Sequence, residues 1–111
     1  MIKVSVFYPN NEGARFDMEY YRDRHMPMVQ ARLGPACKGI AVEHGLAGAT
    51  PGSQPAFVAM GHIYFDSLTA FQEGFARHSA EFIQDVPNYT NIQPNIQISE
   101  VVISGESAAA A

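Results

Sequence analysis

Four runs rich in β-branched and aromatic residues and two amphipathic helical patterns follow one another in the order β-α-β-β-α-β. That order predicts an α+β fold of the ferredoxin-like kind, one four-stranded antiparallel sheet with both helices on one face. Two further observations support it. The segment between the two middle strands, Gly45 to Pro55, is glycine, alanine, proline and small polar residues with nothing to bury, so it is a loop and not a third helix. A chain of 111 residues makes one domain with its own core and is too short for two.

The first strand, Ile2 to Tyr8 (IKVSVFY), stops at Pro9-Asn10-Asn11 with Gly13 close behind. Asp17 is placed to cap a helix running to Leu33, DMEYYRDRHMPMVQARL, which Gly34-Pro35 ends. Pro27 removes a backbone donor and pushes on the carbonyl of Asp23, so a break or kink is expected at His25-Met26-Pro27. Lys38 to His44 is the second strand, and the loop after it is long enough to act as a mobile lid. Phe57 to Phe65 (FVAMGHIYF) is the third strand, bounded by Asp66-Ser67.

Ser67 caps a second helix reaching Asp85, in which Leu68, Phe71, Phe75, His78 and Phe82 fall at i, i+3, i+7, i+10 and i+14. Gly74 weakens it by roughly 1 kcal/mol relative to alanine and marks a place for a bend. Pro87 to Thr90 and Pro94 punctuate a loop, Asn95 to Ile103 is the fourth strand, and the domain of residues 1–104 is followed by a tail, 105–111, expected to be disordered. In the third strand Phe57, Ala59, Ile63 and Phe65 face one way, and Val58, Met60, His62 and Tyr64 the other. Helices cover only one face, so the apolar second face predicts a homodimer joined sheet to sheet.

A net charge of -4, a pI near 5.4 and seven scattered basic residues argue against nucleic acid or an anionic membrane as partner. No run approaches the ~18 apolar residues of a membrane span, and no signal-like segment opens the chain, so a soluble, unexported protein is expected. Cys37 is the only cysteine, which excludes an intrachain disulfide and a cysteine zinc site and fits a cytoplasmic location. Alone, it reads as a small apolar filler rather than a nucleophile.

The candidate chemistry rests on histidines. Met18, Tyr21, His25 and Met28 share one helical stripe, so His25 is turned inward, as His78 is on the second helix. If the strand parity that carries His62 faces the helices, His25, His62 and His78 all border one cavity. Imidazole suits proton transfer near neutrality. A break at Pro27 would leave His25 near a helical C-terminus, where free carbonyls favour the protonated ring by roughly 0.3–1 kcal/mol, so acid and base roles are equally open. Tyr8, Tyr21, Tyr64 and Tyr89 offer hydroxyl donors, and Met60 completes the set of substrate-contacting candidates. Each histidine is also readable as a core residue bonded to a carbonyl, and each tyrosine as packing; His44, at a strand end, is expected in solvent. No HxxxH, HxH or HExxH spacing supports a metal, no GxGxxG or GxxxxGK[ST] a nucleotide cofactor, and no GxSxG a serine hydrolase. No cofactor is expected.

Three stretches, VSVFYPNNEGARFDMEYYRDRHMP, PAFVAMGHIYFDS and DVPNYTNIQPNIQISEV, resemble the EthD family of the dimeric α/β-barrel superfamily, which also holds muconolactone isomerases, polyketide cyclases and cofactor-free monooxygenases. The tyrosine-rich helix ending in His25-Met26-Pro27 is the most specific of these signatures, and Asp85-Val86-Pro87-Asn88-Tyr89 the second. The resemblance covers nearly the whole chain apart from the tail. It implies a dimer pairing two sheets into an α/β barrel and a small pocket between each sheet and its helices. Some members are labelled reductases. The expected function is cofactor-free acid/base chemistry of the isomerase, cyclase or dehydratase type on a small hydrophobic carbonyl or aromatic compound, with His25 as principal group, His78 and His62 assisting, and Tyr89 orienting the substrate. A ligand-binding or accessory protein of an oxygenase system and a cofactor-free monooxygenase are the alternatives.

Overall fold

The structure, a computed structural model, describes residues 1–105. Strands β1 (Ile2–Pro9), β2 (Gly39–His44), β3 (Phe57–Phe65) and β4 (Asn95–Glu100) form one sheet in the order β2-β3-β1-β4, antiparallel throughout. Two long helices, α1 (residues 18–33) and α2 (Leu68–Asp85), lie on one face of it. The expected ferredoxin-like arrangement is the one found. β4 is shorter than expected because β1 begins at Ile2, opposite Glu100; after the bond from the Val101 amide to the Met1 carbonyl, 2.9 Å, the ladder has no partner. The expected tail falls, Gly105 apart, outside the described residues.

The helix ends are set as their caps dictate. Asp17 Oδ1 accepts from the Tyr20 amide at 3.1 Å and Ser67 Oγ from the Ala70 amide at 3.1 Å. Where a break or kink was expected at Pro27 the chain keeps helical dihedrals and changes helix type, which corrects the expectation of a free helical end. Instead Met18–Tyr20 is α-helical, Tyr21–His25 widens into a π turn, and Met26–Leu33 continues as α-helix. The Met26 amide bonds the Tyr21 carbonyl, five residues back, so Pro27 sits in the first turn of the following segment, where no donor is required. His25 therefore keeps helical dihedrals (φ -67°, ψ -58°) inside a continuous helix, and the free helical end invoked to protonate it does not exist.

Gly74 marks a close approach rather than a bend. A side-chain carbon there would stand 2.9 Å from Leu33 Cδ2 on α1, so glycine lets the two helices approach. Their inner faces meet Val4 and Tyr8 of β1 and Ala59, Ile63 and Phe65 of β3, and with Tyr21, Met26, Val29, Leu33, Phe82 and Tyr89 these make the core. Each large apolar side chain buried there contributes about 1.5–3 kcal/mol.

Candidate functional site

The π turn places Tyr20, Tyr21 and His25 against the C-terminal end of α2, where Asp85 is followed by the 3-10 turn Val86–Asn88 and then by Tyr89. Asp85 is the hub. Its Oδ1 accepts from the Tyr20 hydroxyl at 2.7 Å and from Asn88 Nδ2 at 2.9 Å, and its Oδ2 lies 2.8 Å from His25 Nδ1. Burial works against charge on Asp85, but the hydrogen bonds from Tyr20, Asn88 and His25 outweigh it and hold the carboxyl below its ordinary value of 3.8.

His25 is 6% exposed and stacks on Tyr21 (centroids 5.5 Å, planes 13° apart), with Tyr89 4.6 Å away and itself 4.9 Å from Tyr21. Burial pushes its pKa below 6.5, and the bond to Asp85 and its charge only partly offset that. At neutral pH the ring is therefore neutral beside an ionised carboxylate. A carboxylate only accepts, so Nδ1 carries the hydrogen and Nε2 presents a lone pair. Nε2 has no hydrogen-bond partner among the described residues, and every side-chain polar atom fully shielded from solvent has one, so Nε2 opens on accessible space.

His25 lines a cavity of about 200 Å³ between sheet and helices. Val6 and Ile63 line it from the sheet, Met26 and Val29 from α1, Phe75, Ser79, Phe82 and Ile83 from α2, and Ile96 from β4, with Tyr8, Tyr21, His25 and Tyr89 at one end. Ile83 and Ile96, 67% and 61% exposed, frame its mouth where α2 stands off from β4. The Tyr8 and Tyr89 hydroxyls bond each other at 2.8 Å. Burial raises the pKa of Tyr8, Tyr21 and Tyr89 above 10, so all three remain protonated donors at neutrality.

Of the candidates expected from sequence, His25, Tyr8, Tyr21 and Tyr89 come together here. His62, Met60 and Tyr64 do not, and the three-histidine cavity is corrected on this point. Ala59, Ile63 and Phe65 face the helices, so the opposite parity lies on the uncovered face of the sheet. There His62, buried, bonds Ser5 Oγ through Nδ1 at 2.9 Å and meets Glu43 through Nε2 at 3.3 Å. Its pKa is lowered by burial and by the charge of Lys3, against the pull of Glu43. His78 also misses the cavity. The lining stripe of α2 is Phe75, Ser79, Phe82 and Ile83, continued by Val86 of the 3-10 turn and one residue round from the stripe containing His78, which lies half-buried against Phe82 with centroids 6.1 Å apart. The loop expected to be a lid closes on itself, with the Gly48 amide on the Ser53 carbonyl at 3.1 Å, and is tied to the end of β1 by Asn10 Nδ2 on the Pro55 carbonyl, 3.1 Å; none of its residues lines the cavity. Among the described residues no group of three or more His, Cys, Asp and Glu could hold a metal ion, and no helix is long and apolar enough to cross a membrane.

Asp85, Asn88, Tyr20 and Ser79 were not among the expected site residues. The only sequence signal for Asp85 and Asn88 was the Asp-Val-Pro-Asn-Tyr stretch; Tyr20 and Ser79 gave none.

Fold and site together define a ferredoxin-like α+β domain with a small apolar cavity between sheet and helices and a histidine-aspartate pair at one end. Residues 13–93 match the EthD domain family. An EthD-like protein from Ralstonia eutropha JMP134 is 55% identical, with 96% of each chain covered and a TM-score of 0.91. The chain belongs to the EthD family. An EthD family protein from Bacillus halodurans C-125 shares the fold at 19% identity (90% of this chain, 97% of that one, TM-score 0.61), as does HapK from Hahella chejuensis at 14% (93% and 95%, TM-score 0.57). No curated protein matches the sequence.

Proposed function

We propose that the cavity binds a small, largely apolar carbonyl or aromatic compound and that His25 acts on it as a general base, without a cofactor. The observation that carries this is the state of His25: neutral, oriented through Nδ1 by an ionised Asp85, with Nε2 unpartnered and the residue in the lining of an apolar cavity. In such a site Nε2 takes a proton from carbon next to a carbonyl, and the electron pair moves onto the carbonyl oxygen as an enolate. Asp85 stabilises the imidazolium that forms, without itself taking the proton. The phenol cluster of Tyr8, Tyr21 and Tyr89 supplies a donor for the enolate oxygen. The same imidazolium then returns the proton to another atom, which is isomerisation, or the enolate expels or attacks a group, which is dehydration or cyclisation.

A cavity of about 200 Å³ falls below the ~300–1,000 Å³ of pockets for drug-sized ligands, so the compound is mono- or bicyclic. Exchange of the α-protons of 2-tetralone in D₂O, followed by NMR, tests the chemistry. The expected result is acceleration over buffer by about 10²–10⁴, lost in His25→Ala. Equal exchange by wild type and His25→Ala would sink the base assignment.

The nearly continuous apolar lining favours a second reading, a carrier or accessory protein that holds the compound unchanged. It predicts 2-tetralone bound at the cavity with exchange at the buffer rate. The sheet face opposite the helices carries Phe7, Val58, Met60 and Tyr64, and this supports a homodimer joined through that face, while the lone Cys37, with no disulfide partner in its own chain, suits the reducing cytoplasm.

A further inference from the structure

We propose that Ser79 is a specificity-determining residue of this cavity, receiving a second polar group at the far end of the ligand from His25. The inference rests on the cavity being a ligand site. Apart from the tyrosine and histidine end, the lining residues are apolar, interrupted once, by Ser79 on α2. A serine inside a helix ordinarily turns its hydroxyl back onto the carbonyl four residues earlier, here Phe75. Ser79 does not, and its hydroxyl makes no hydrogen bond among the described residues. Its neighbours along the stripe, Phe75 and Phe82, are aromatic, so Ser79 is a lone polar residue in a wall suited to a flat ring.

A purely apolar ligand would dry that hydroxyl without pairing it, which is costly. A ligand with an oxygen at that point satisfies it, and because a hydroxyl both donates and accepts, phenol and carbonyl oxygens are equally suited. Ser79 stands six residues before Asp85, which marks the level of the His25 pair; at 1.5 Å per residue that is about 9 Å along the helix. The ligand class is thus a compact bicyclic molecule with oxygens on opposite rings, one at His25 and one at Ser79.

The test compares the affinities of 2-naphthol and 2,6-dihydroxynaphthalene by calorimetry. Wild type should bind the diol about three- to tenfold more tightly, the worth of one net hydrogen bond. Ser79→Ala should lose the preference or reverse it, since the diol's second hydroxyl is then left unpaired, and Ser79→Thr, which keeps the hydroxyl, should restore it. Thermal melts of both variants establish that they are folded. A preference retained in Ser79→Ala, or absent in wild type that binds 2-naphthol, overturns the role of Ser79 and leaves the cavity reading standing. Failure of wild type to bind either probe removes the cavity reading and this proposal with it.

Discussion

At the scale of the residue, the question is which nitrogen of His25 carries the hydrogen, and Asp85 answers it. Replacing Asp85 by Asn leaves the shape and removes the charge. The amide then donates to Nδ1, the ring hydrogen moves to Nε2, and the lone pair leaves the cavity. Proton-exchange activity in Asp85→Asn should fall by about 10²–10⁴, with 2-naphthol still bound; activity within threefold of wild type would remove Asp85 from the mechanism. The pH dependence has a defined sign. His25 and His62 both have folded pKa values below the ordinary 6.5, so around that pH the unfolded chain binds more protons than the folded one. Their contribution is complete above about pH 6.5 and is lost as pH falls toward their folded pKa values, whereas Asp85, held below 3.8, loses its contribution only in stronger acid. Melting temperature should therefore drop between about pH 7 and pH 5. A rise over that interval would contradict the neutral state of both rings. Activity should be level above about pH 6.5 and decline below it, following His25 alone.

At the scale of the element, two registrations decide where the site forms, and each is only half visible in the sequence. Strand β3 alternates cleanly, but both of its faces are apolar, so periodicity defines two sets without saying which meets the helices. Gly61 decides it: a methyl there would overlap the Tyr21 hydroxyl, so the Gly61 face is the one on which α1 can rest its tyrosine. Gly61→Ala should destabilise the fold by about 1–3 kcal/mol through overpacking, and Tyr21→Phe in the same chain should recover much of that loss. Urea unfolding of the four members of the cycle measures the coupling, and additive losses would refute the contact. On α2 the helical stripe was legible to within one residue, which is enough to place Phe75 and Phe82 and not enough to choose between His78 and Ser79. On α1 the proline was plain, but the π turn that absorbs it depends on how Tyr21 and His25 pack. The strands, caps and helix ends were readable because they are local. The pair that makes the site, His25 with Asp85, joins residues 60 apart in sequence and is visible only once α1 and α2 are side by side.

At the scale of the whole molecule, the helices cover one face of the sheet and leave the other with a mixed character. Its centre is polar, with Ser5, His62 and Glu43 joined, and is flanked by Phe7, Val58, Met60 and Tyr64. At its margin Val102 and Ile103 are 86% and 87% exposed and share grooves with Lys3 and Tyr64. A twofold axis through this face would bury the apolar flanks against their own copies and leave the hydrogen-bonded centre satisfied within each subunit. Native mass spectrometry should accordingly give a species of twice 12.1 kDa at micromolar concentration. Met60→Lys is the discriminating variant. Met60 stands opposite Glu43 in the β2–β3 ladder, so a lysine there meets an opposite charge within its own subunit and the fold should persist. Across the twofold, however, it adds like charges to a surface that association must dry. The variant should run as a monomer with an unchanged far-ultraviolet spectrum and should still bind 2-naphthol, because the cavity lies on the other side of the sheet. A monomeric wild type would remove the paired-sheet assembly. A Met60→Lys dimer would move the contact to another surface.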